Sequence, residues 1–392
     1  MCSDSLKVCM LVPFLHYTGG MERQAVQLAR KLRERQVDLA IITGWYVEEY
    51  VQRRYPGLRW RDDVGNIPIY RVPVTRASWR LRLVLFGLWS MFLLTSRLQR
   101  FQIIHAHQLI STGVMAVFIS SLLGRSVIVK LASGGEVGDL VSLRRAFFGH
   151  PPVGFLGRHI DRIVSLTSQI QSELLEVGFP PDKIVVIPNG VDTRQFRPAS
   201  KGEKERIREN LALPKSPIVT FVGGLKPKKR VDFLLLAWTR IQERHPDAHL
   251  LLIGDGPLRP RLEALCRLLG LATSVTFIGA VENVHLYLRA SDLFVLPSLG
   301  EGLANALLEA MATGLPVITT DTVGNRDVIV QGENGLLFPQ DDEQALASLI
   351  LRVLDGDAWS EQLGQAARET AQTCFSLDSV ADQYLRLYAE IG

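Results

Sequence analysis

A chain of 392 residues, 47% of them hydrophobic, is longer than one core usually supports, so two domains are expected. Its 44 Lys and Arg against 40 Asp and Glu leave a formal charge of +4 and a pI near 8.9, too small an excess to indicate nucleic acid as a partner, while phosphorylated ligands and membrane surfaces stay compatible. Cys2, Cys9, Cys266 and Cys374 are scattered with no Cys-x-x-Cys pair, which argues against a zinc site or a disulfide scaffold and fits a reducing cytoplasm.

The N-terminus lacks the basic and apolar regions of a signal peptide, and the apolar run 7–14 reads as a first strand. After it come His16-Tyr-Thr-Gly19-Gly20-Met-Glu22 and then Ala25, Leu28, Ala29 and Leu32 at helical spacing. Glycines at a strand-to-helix turn let a ligand approach the backbone, although a plain tight turn uses them too. Further strands are predicted at 37–43, 103–106, 127–131, 163–166 and 185–188.

The longest apolar stretch, 83–94, is flanked by Arg76, Arg80, Arg82, Arg97 and Arg100 and accompanied by Trp79, Trp89 and Phe92. It is too short for the roughly 20 residues that span a bilayer. Two readings stay open: a helix contacting a membrane surface through 79–100, or a core helix with solvated arginine ends. His105 and His107 alternate on one strand and share a face; a metal pair would need further ligands, and none is evident nearby.

The segment 192–214 is polar, with a charged cluster from Lys201 to Arg208, and reads as a linker plus a solvated helix. Beyond it the alternation resumes, with strands at 218–222, 249–253, 275–278, 293–296 and 316–320 and helices at 232–244, 258–269 and 343–354. Such alternation implies parallel sheets covered by helices on both faces, twice over. The expected domains are 1–195 and 196–375, with a last helix, 376–392, packing back toward the first. Ligands bind at the carboxyl ends of strands in open α/β sheets, so two such domains facing each other would hold one in their cleft.

Three strand-to-helix junctions in the second half carry chemistry. In Gly223-Gly224-Leu-Lys226-Pro-Lys228-Lys229-Arg230 the cations either neutralise a diphosphate or are solvated. Gly254-Asp255-Gly256-Pro257 is a second glycine turn. The third is Pro297-Ser-Leu-Gly-Glu301-Gly302-Leu303, which opens a helix predicted at 303–313, with Gly314 as its cap and Pro316 beyond. Free N–H groups near Leu303 and Ala304 would carry the positive end of that helix dipole, where a diphosphate fits. Glu309 lies in an apolar helix and needs hydrogen-bond donors, which sugar hydroxyls supply; the alternative is Glu301 as a helix-start residue and Glu309 as the partner of an arginine.

Together with Gly19-Gly20-Met-Glu22 and Ile187-Pro188-Asn189-Gly190-Val191-Asp192, these junctions resemble the GT-B glycosyltransferases of family four, the retaining group that uses nucleotide sugars. The strongest match is Glu301-x7-Glu309, and the likeness covers essentially the whole chain. It implies the GT-B fold, two Rossmann-like doubly wound parallel-sheet domains facing a central cleft, the first binding the acceptor and the second the donor. It also implies that Glu301 contacts the donor sugar, Gly302 and Leu303 offer N–H groups to the phosphates, Glu309 binds the ribose, and Lys229 holds the diphosphate. Gly19, Gly20, Gly223, Gly224, Gly254 and Gly256 complete the expected donor contacts, and His107 and Glu136 are the expected acceptor contacts.

The chain departs from the family pattern twice. Where the family usually has an arginine, five positions before Lys229, this chain has Gly224, so Lys226, Lys228 or Arg230 compensates or the leaving group is less stabilised. Where many relatives carry a histidine, after 127–131, it reads Ala132-Ser133-Gly134-Gly135-Glu136, so Glu136 or the glycine backbone takes over. No Asp-x-Asp element follows a strand convincingly, so no essential divalent metal and no cofactor is expected. The expected reaction is transfer of a hexose-type sugar from a UDP- or GDP-sugar to a glycan or lipid-linked acceptor with retention, by same-face attack within an ion pair, in the cytoplasm or on the inner face of the membrane. Alternatives of other classes are a GT-B-type nucleotide-sugar epimerase, which would act on UDP-GlcNAc without acceptor, and a non-catalytic sugar-nucleotide-binding subunit.

Overall fold

The structure is a computed structural model that describes residues 6–15, 20–46, 60–75, 78–131, 133–134, 138–146, 153–300, 302–356 and 358–392. The chain forms two compact units, Met1–Asn189 with Leu377–Gly392, and Gly190–Ser376.

In the first unit eight strands form one sheet: β1 (Lys7–Val12), β2 (Asp38–Tyr46), β3 (Arg61–Asp63), β4 (Pro68–Val74), β5 (Ile103–His107), β6 (Ser126–Lys130), β7 (Arg162–Ser165) and β8 (Ile184–Val186). Their order is β3-β4-β2-β1-β5-β6-β7-β8, and among the described residues only β3 runs antiparallel to its neighbour. Strand order therefore reverses between β1 and β5, the place where an open α/β sheet leaves room for a ligand.

The last helix of the chain, Leu377–Ile391, belongs to this unit. It buries Leu377, Val380, Ala381, Tyr384, Leu387 and Tyr388 at helical spacing, and all of these but Leu377 join the core made by β1, β5, β6, β7 and the helix Gly20–Glu34. At its rim Asp378 accepts from Lys31 and Arg35, each at 2.9 Å, and Asp382 accepts from Arg35 at 2.8 Å. These half-buried pairs at the helix's edge fix its orientation against the helix Gly20–Glu34.

The helix Trp79–Ser96 is a compromise between the two readings of its sequence. Phe86, Ser90, Leu93 and Leu94 are buried, whereas Leu81, Val84, Leu88, Trp89 and Phe92 are exposed, Leu88 by 64%. The neighbouring helix Val114–Leu123 approaches at Gly87, where a Cβ would lie 2.5 Å from Met115 Sδ, and exposes Phe118 and Leu122. Three flanking arginines are tied to the unit rather than simply solvated. Arg82 lies over Phe14, Arg97 lies over Trp60, and Arg100 pairs with Asp38 at 2.8 Å. Arg76 lies outside the described residues. Among the described residues no helix is long and apolar enough to cross a membrane.

The second unit has six strands, all parallel: β9 (Ile218–Val222), β10 (His249–Ile253), β11 (Val275–Gly279), β12 (Leu293–Leu296), β13 (Val317–Thr320) and β14 (Leu336–Phe338). Their order, β11-β10-β9-β12-β13-β14, reverses between β9 and β12. Both units are thus Rossmann-like parallel-sheet α/β domains. After β9 the helix Val231–Arg244 buries Val231, Leu234, Leu235, Trp238 and Ile241 along one stripe, and Trp238 Nε1 donates to Ser274 Oγ at 3.3 Å.

The units divide between Asn189 and Gly190, ahead of the expected residue 195. Arg368 explains why the linker goes with the second unit: its guanidinium donates to the carbonyls of Thr193 (2.9 Å), Phe196 (2.7 Å) and Ala312. The helix Lys201–Asn210, capped by Ser200, is docked rather than wholly solvated. Arg208 is buried, donates to the carbonyls of Ala290 and Lys215 at 2.8 and 2.9 Å, and pairs with Asp292 at 2.6 Å.

Candidate active site

Two loops leave the sheet of the second unit at its reversal point, 223–230 after β9 and 297–304 after β12. A backbone hydrogen bond ties them together, Leu299 N–H donating to the Lys228 carbonyl at 2.9 Å. Within the first loop Pro227–Lys229 form a tight 3-10 turn, and Arg230 follows in the left-handed region with φ 50°. Lys229 is half-buried, its Cε 3.4 Å from where a Cβ on Gly223 would sit. Arg230 is turned to another partner: it pairs with Asp341 at 2.6 Å and its guanidinium lies 4.7 Å from the Phe233 ring centre.

Gly254 and Gly256 give room to backbone. A Cβ on Gly254 would lie 2.0 Å from the Gly223 carbonyl oxygen, and one on Gly256 would lie 2.5 Å from that of Leu225. The two turns are stitched by Gly223 N–H to the Ile253 carbonyl (2.9 Å) and Leu225 N–H to the Asp255 carbonyl (3.0 Å). The space that these glycines leave is taken by the loop that carries the lysines.

The helix after β12 runs over Asn305–Ala312, starting later than the predicted 303. Leu303 and Ala304 are held in the preceding turn by burial of their side chains, and Ala304, extended at φ −74° and ψ 113°, has no side chain able to cap. The first-turn N–H groups are therefore those of Asn305 and Ala306, not Leu303 and Ala304. Leu307, Leu308, Ala310 and Met311 are buried, whereas Asn305, Ala306 and Glu309 are half-buried. Glu309 is i+4 and i+3 from Asn305 and Ala306 and shares their side, about 6 Å along the axis. A ligand can thus present anionic oxygens to the helix start and hydroxyls to the carboxylate one turn on. Gly314, at φ +78°, ends the helix as expected. Gly302 is buried in the preceding turn; Gly19, Glu136 and Glu301 lie outside the described residues.

In the first unit Gly20 opens the helix after β1, and His107 ends β5 at the reversal point. His107 is the expected acceptor contact; it shares a face of β5 with His105, and both are buried. Their rings stack at 4.4 Å, and His105 Nδ1 is 2.8 Å from Tyr388 Oη. Beside them Lys130, paired in register with His107, donates from Nζ to Asn189 Oδ1 at 3.0 Å and lies 5.8 Å from the Tyr384 ring centre. Burial pushes the Lys130 amine down to about 8; burial first, and then the Lys130 charge, brings His105 down to about 3. His107 is likewise held well below its ordinary value, by burial and then by His105 and Lys130. Sequence reading passed over Lys130; its signal was a lysine inside an apolar strand. Among the described residues no group of three or more His, Cys, Asp or Glu is placed to hold a metal ion.

Residues 19–190 match the glycosyl transferase 4-like domain, and residues 216–356 match the glycosyl transferases group 1 family. The chain belongs to the group 1 glycosyltransferases. Its fold is GT-B: Alr3699/HepE of Anabaena, whose structure was determined in complex with UDP-glucose, superposes with a TM-score of 0.79 over 98% of this chain and 100% of that one, at 19% identity. This glycosyltransferase is 27% identical to the alpha-D-kanosaminyltransferase of Streptomyces kanamyceticus over 74% of its own length and 77% of that relative's. It is also 27% identical to the UDP-Gal:alpha-D-GlcNAc-diphosphoundecaprenol alpha-1,3-galactosyltransferase of Escherichia coli, over 97% and 95%. It is a glycosyltransferase that uses a nucleotide sugar.

Proposed function

We propose that this glycosyltransferase moves a hexose-type sugar from a UDP- or GDP-sugar to a glycan or lipid-linked acceptor, with retention, in the synthesis of a surface polysaccharide or glycolipid. The observation that carries the reading is the meeting, at one sheet reversal, of a lysine loop, a helix start and a carboxylate one turn further on. Lys229 and the helix start stabilise the departing diphosphate, and Glu309 takes donor hydroxyls. The bond from the anomeric carbon to the phosphate oxygen breaks, the acceptor oxygen bonds to the same face, and its proton passes to the departing phosphate. In this reading cationic side chains and backbone N–H groups carry the charge stabilisation, and no resident metal or cofactor takes part. The Escherichia coli relative, named for a diphosphoundecaprenol-linked acceptor, supports the lipid-linked class.

A panel of UDP- and GDP-sugars screened by melting temperature tests the donor, since a ligand of the folded form alone raises it. If no sugar nucleotide does, the donor reading fails. Proton NMR of the first product tests retention, and an inverted anomeric signal overturns it. Incubation with the donor alone separates transfer from epimerisation.

The exposed face of Trp79–Ser96 is proposed to rest on the anionic inner surface of the membrane, its apolar side chains at the acyl boundary. Replacing Leu88 and Phe92 together by glutamate should lower co-sedimentation with anionic vesicles about tenfold and leave donor binding unchanged. Equal sedimentation of variant and wild type would remove the proposed contact.

A further inference from the structure

We propose that Lys226 is the second cation of the diphosphate subsite, acting beside Lys229; this rests on the donor reading above and adds a residue to it. Of the cations after β9, Arg230 is committed to Asp341 and Phe233. Lys226 is exposed and makes no ion pair with a carboxylate among the described residues. Its stem lies along the glycine turn: Cε is 3.7 Å and Cδ 4.0 Å from where a Cβ on Gly224 would sit. Lys229 does the same at the adjacent glycine, Cε 3.4 Å from the Gly223 position. Two lysine stems thus cross neighbouring glycines at the carboxyl end of β9, on the loop bonded through Lys228 to the loop before the Asn305–Ala312 helix. One lysine leaves a nucleoside diphosphate under-neutralised, since its terminal phosphate gains charge as the sugar departs; two ammonium groups match that charge better.

The geometry also supplies a test by transplantation. Gly224 does not have a positive φ, and the nearest atoms to its Cβ position are the Asp255 carbonyl oxygen and the Lys226 stem itself, both at 3.7 Å. A side chain therefore fits at 224, and an arginine there can fill the volume that a truncated Lys226 vacates.

Affinity for UDP, GDP, uridine and guanosine is measured by titration calorimetry at low salt for four proteins: wild type, Lys226→Ala, Lys226→Arg, and Lys226→Ala combined with Gly224→Arg. For whichever diphosphate the wild type binds, Lys226→Ala should weaken affinity about tenfold, with nucleoside affinity unchanged. Lys226→Arg and the double variant should return to within about threefold of wild type. The melting temperature should not move, because the side chain is exposed. Wild-type diphosphate affinity in Lys226→Ala overturns the inference, as does an equal loss for the nucleoside. Should the wild type bind neither diphosphate, the donor reading itself falls, and this inference with it.

Discussion

Lys229→Ala is expected to lower turnover about a hundredfold or more while leaving the fold intact. Negative charge builds on the departing phosphate as its bond to the sugar breaks, and a preplaced cation stabilises that state more than the bound substrate. Lys229 is preplaced: its backbone is fixed by the turn from Lys226 (N–H to carbonyl, 3.0 Å) and its stem rests on Gly223. Glu309→Ala should behave differently, raising donor KM about tenfold with a smaller change in kcat, since contacts to hydroxyls distant from the breaking bond stabilise ground and transition states alike. Steady-state release of nucleoside diphosphate measures both. Wild-type turnover from Lys229→Ala would mean that the charge is met elsewhere.

Gly254→Ala should remove about 3 kcal/mol or more of stability, lowering the melting temperature of this unit by about 10 °C. Two causes add. The added carbon would lie 2.0 Å from the Gly223 carbonyl oxygen, and the backbone is at φ +130°, where L side chains are strained. Gly223 cannot easily retreat, because its N–H is bonded to the Ile253 carbonyl at 2.9 Å. The shift that relieves the clash moves the turn bearing Lys226 and Lys229, so diphosphate affinity should fall as well. Gly224→Ala is the contrast: with its nearest neighbours at 3.7 Å, it should melt like the wild type. Identical melting of Gly254→Ala and wild type would refute the close approach.

The long buried strands were legible because continuous apolar runs bounded by glycine or proline admit few other readings; Ile218–Val222, His249–Ile253 and Leu293–Leu296 occupy the residues predicted. β3, β4 and β14 were not predicted. Pro68 and Pro73 break the pattern of β4, and β3 is Arg61-Asp62-Asp63, with no apolar residue to signal a strand. In the site, the glycine turns and the Glu309 helix were readable from local chemistry. The start of that helix was not, because burial of Leu303 and Ala304 decides it, and burial is a tertiary property. Lys130 and Arg208 escaped for the same reason: what neutralises or satisfies them, Asn189 in one case and Asp292 with three carbonyls in the other, comes from elsewhere in the chain.

The helix Leu377–Ile391 sets the order in which the protein can mature. A ribosome releases the first unit's sheet early, yet Ile128, Val164 and His105 wait for Tyr384 and Tyr388 until the whole second unit has been synthesised. The half made first is completed last, so nascent chains hold an open apolar face that a holding chaperone would recognise, and a premature stop just before Leu377 would injure the distant half of the sequence.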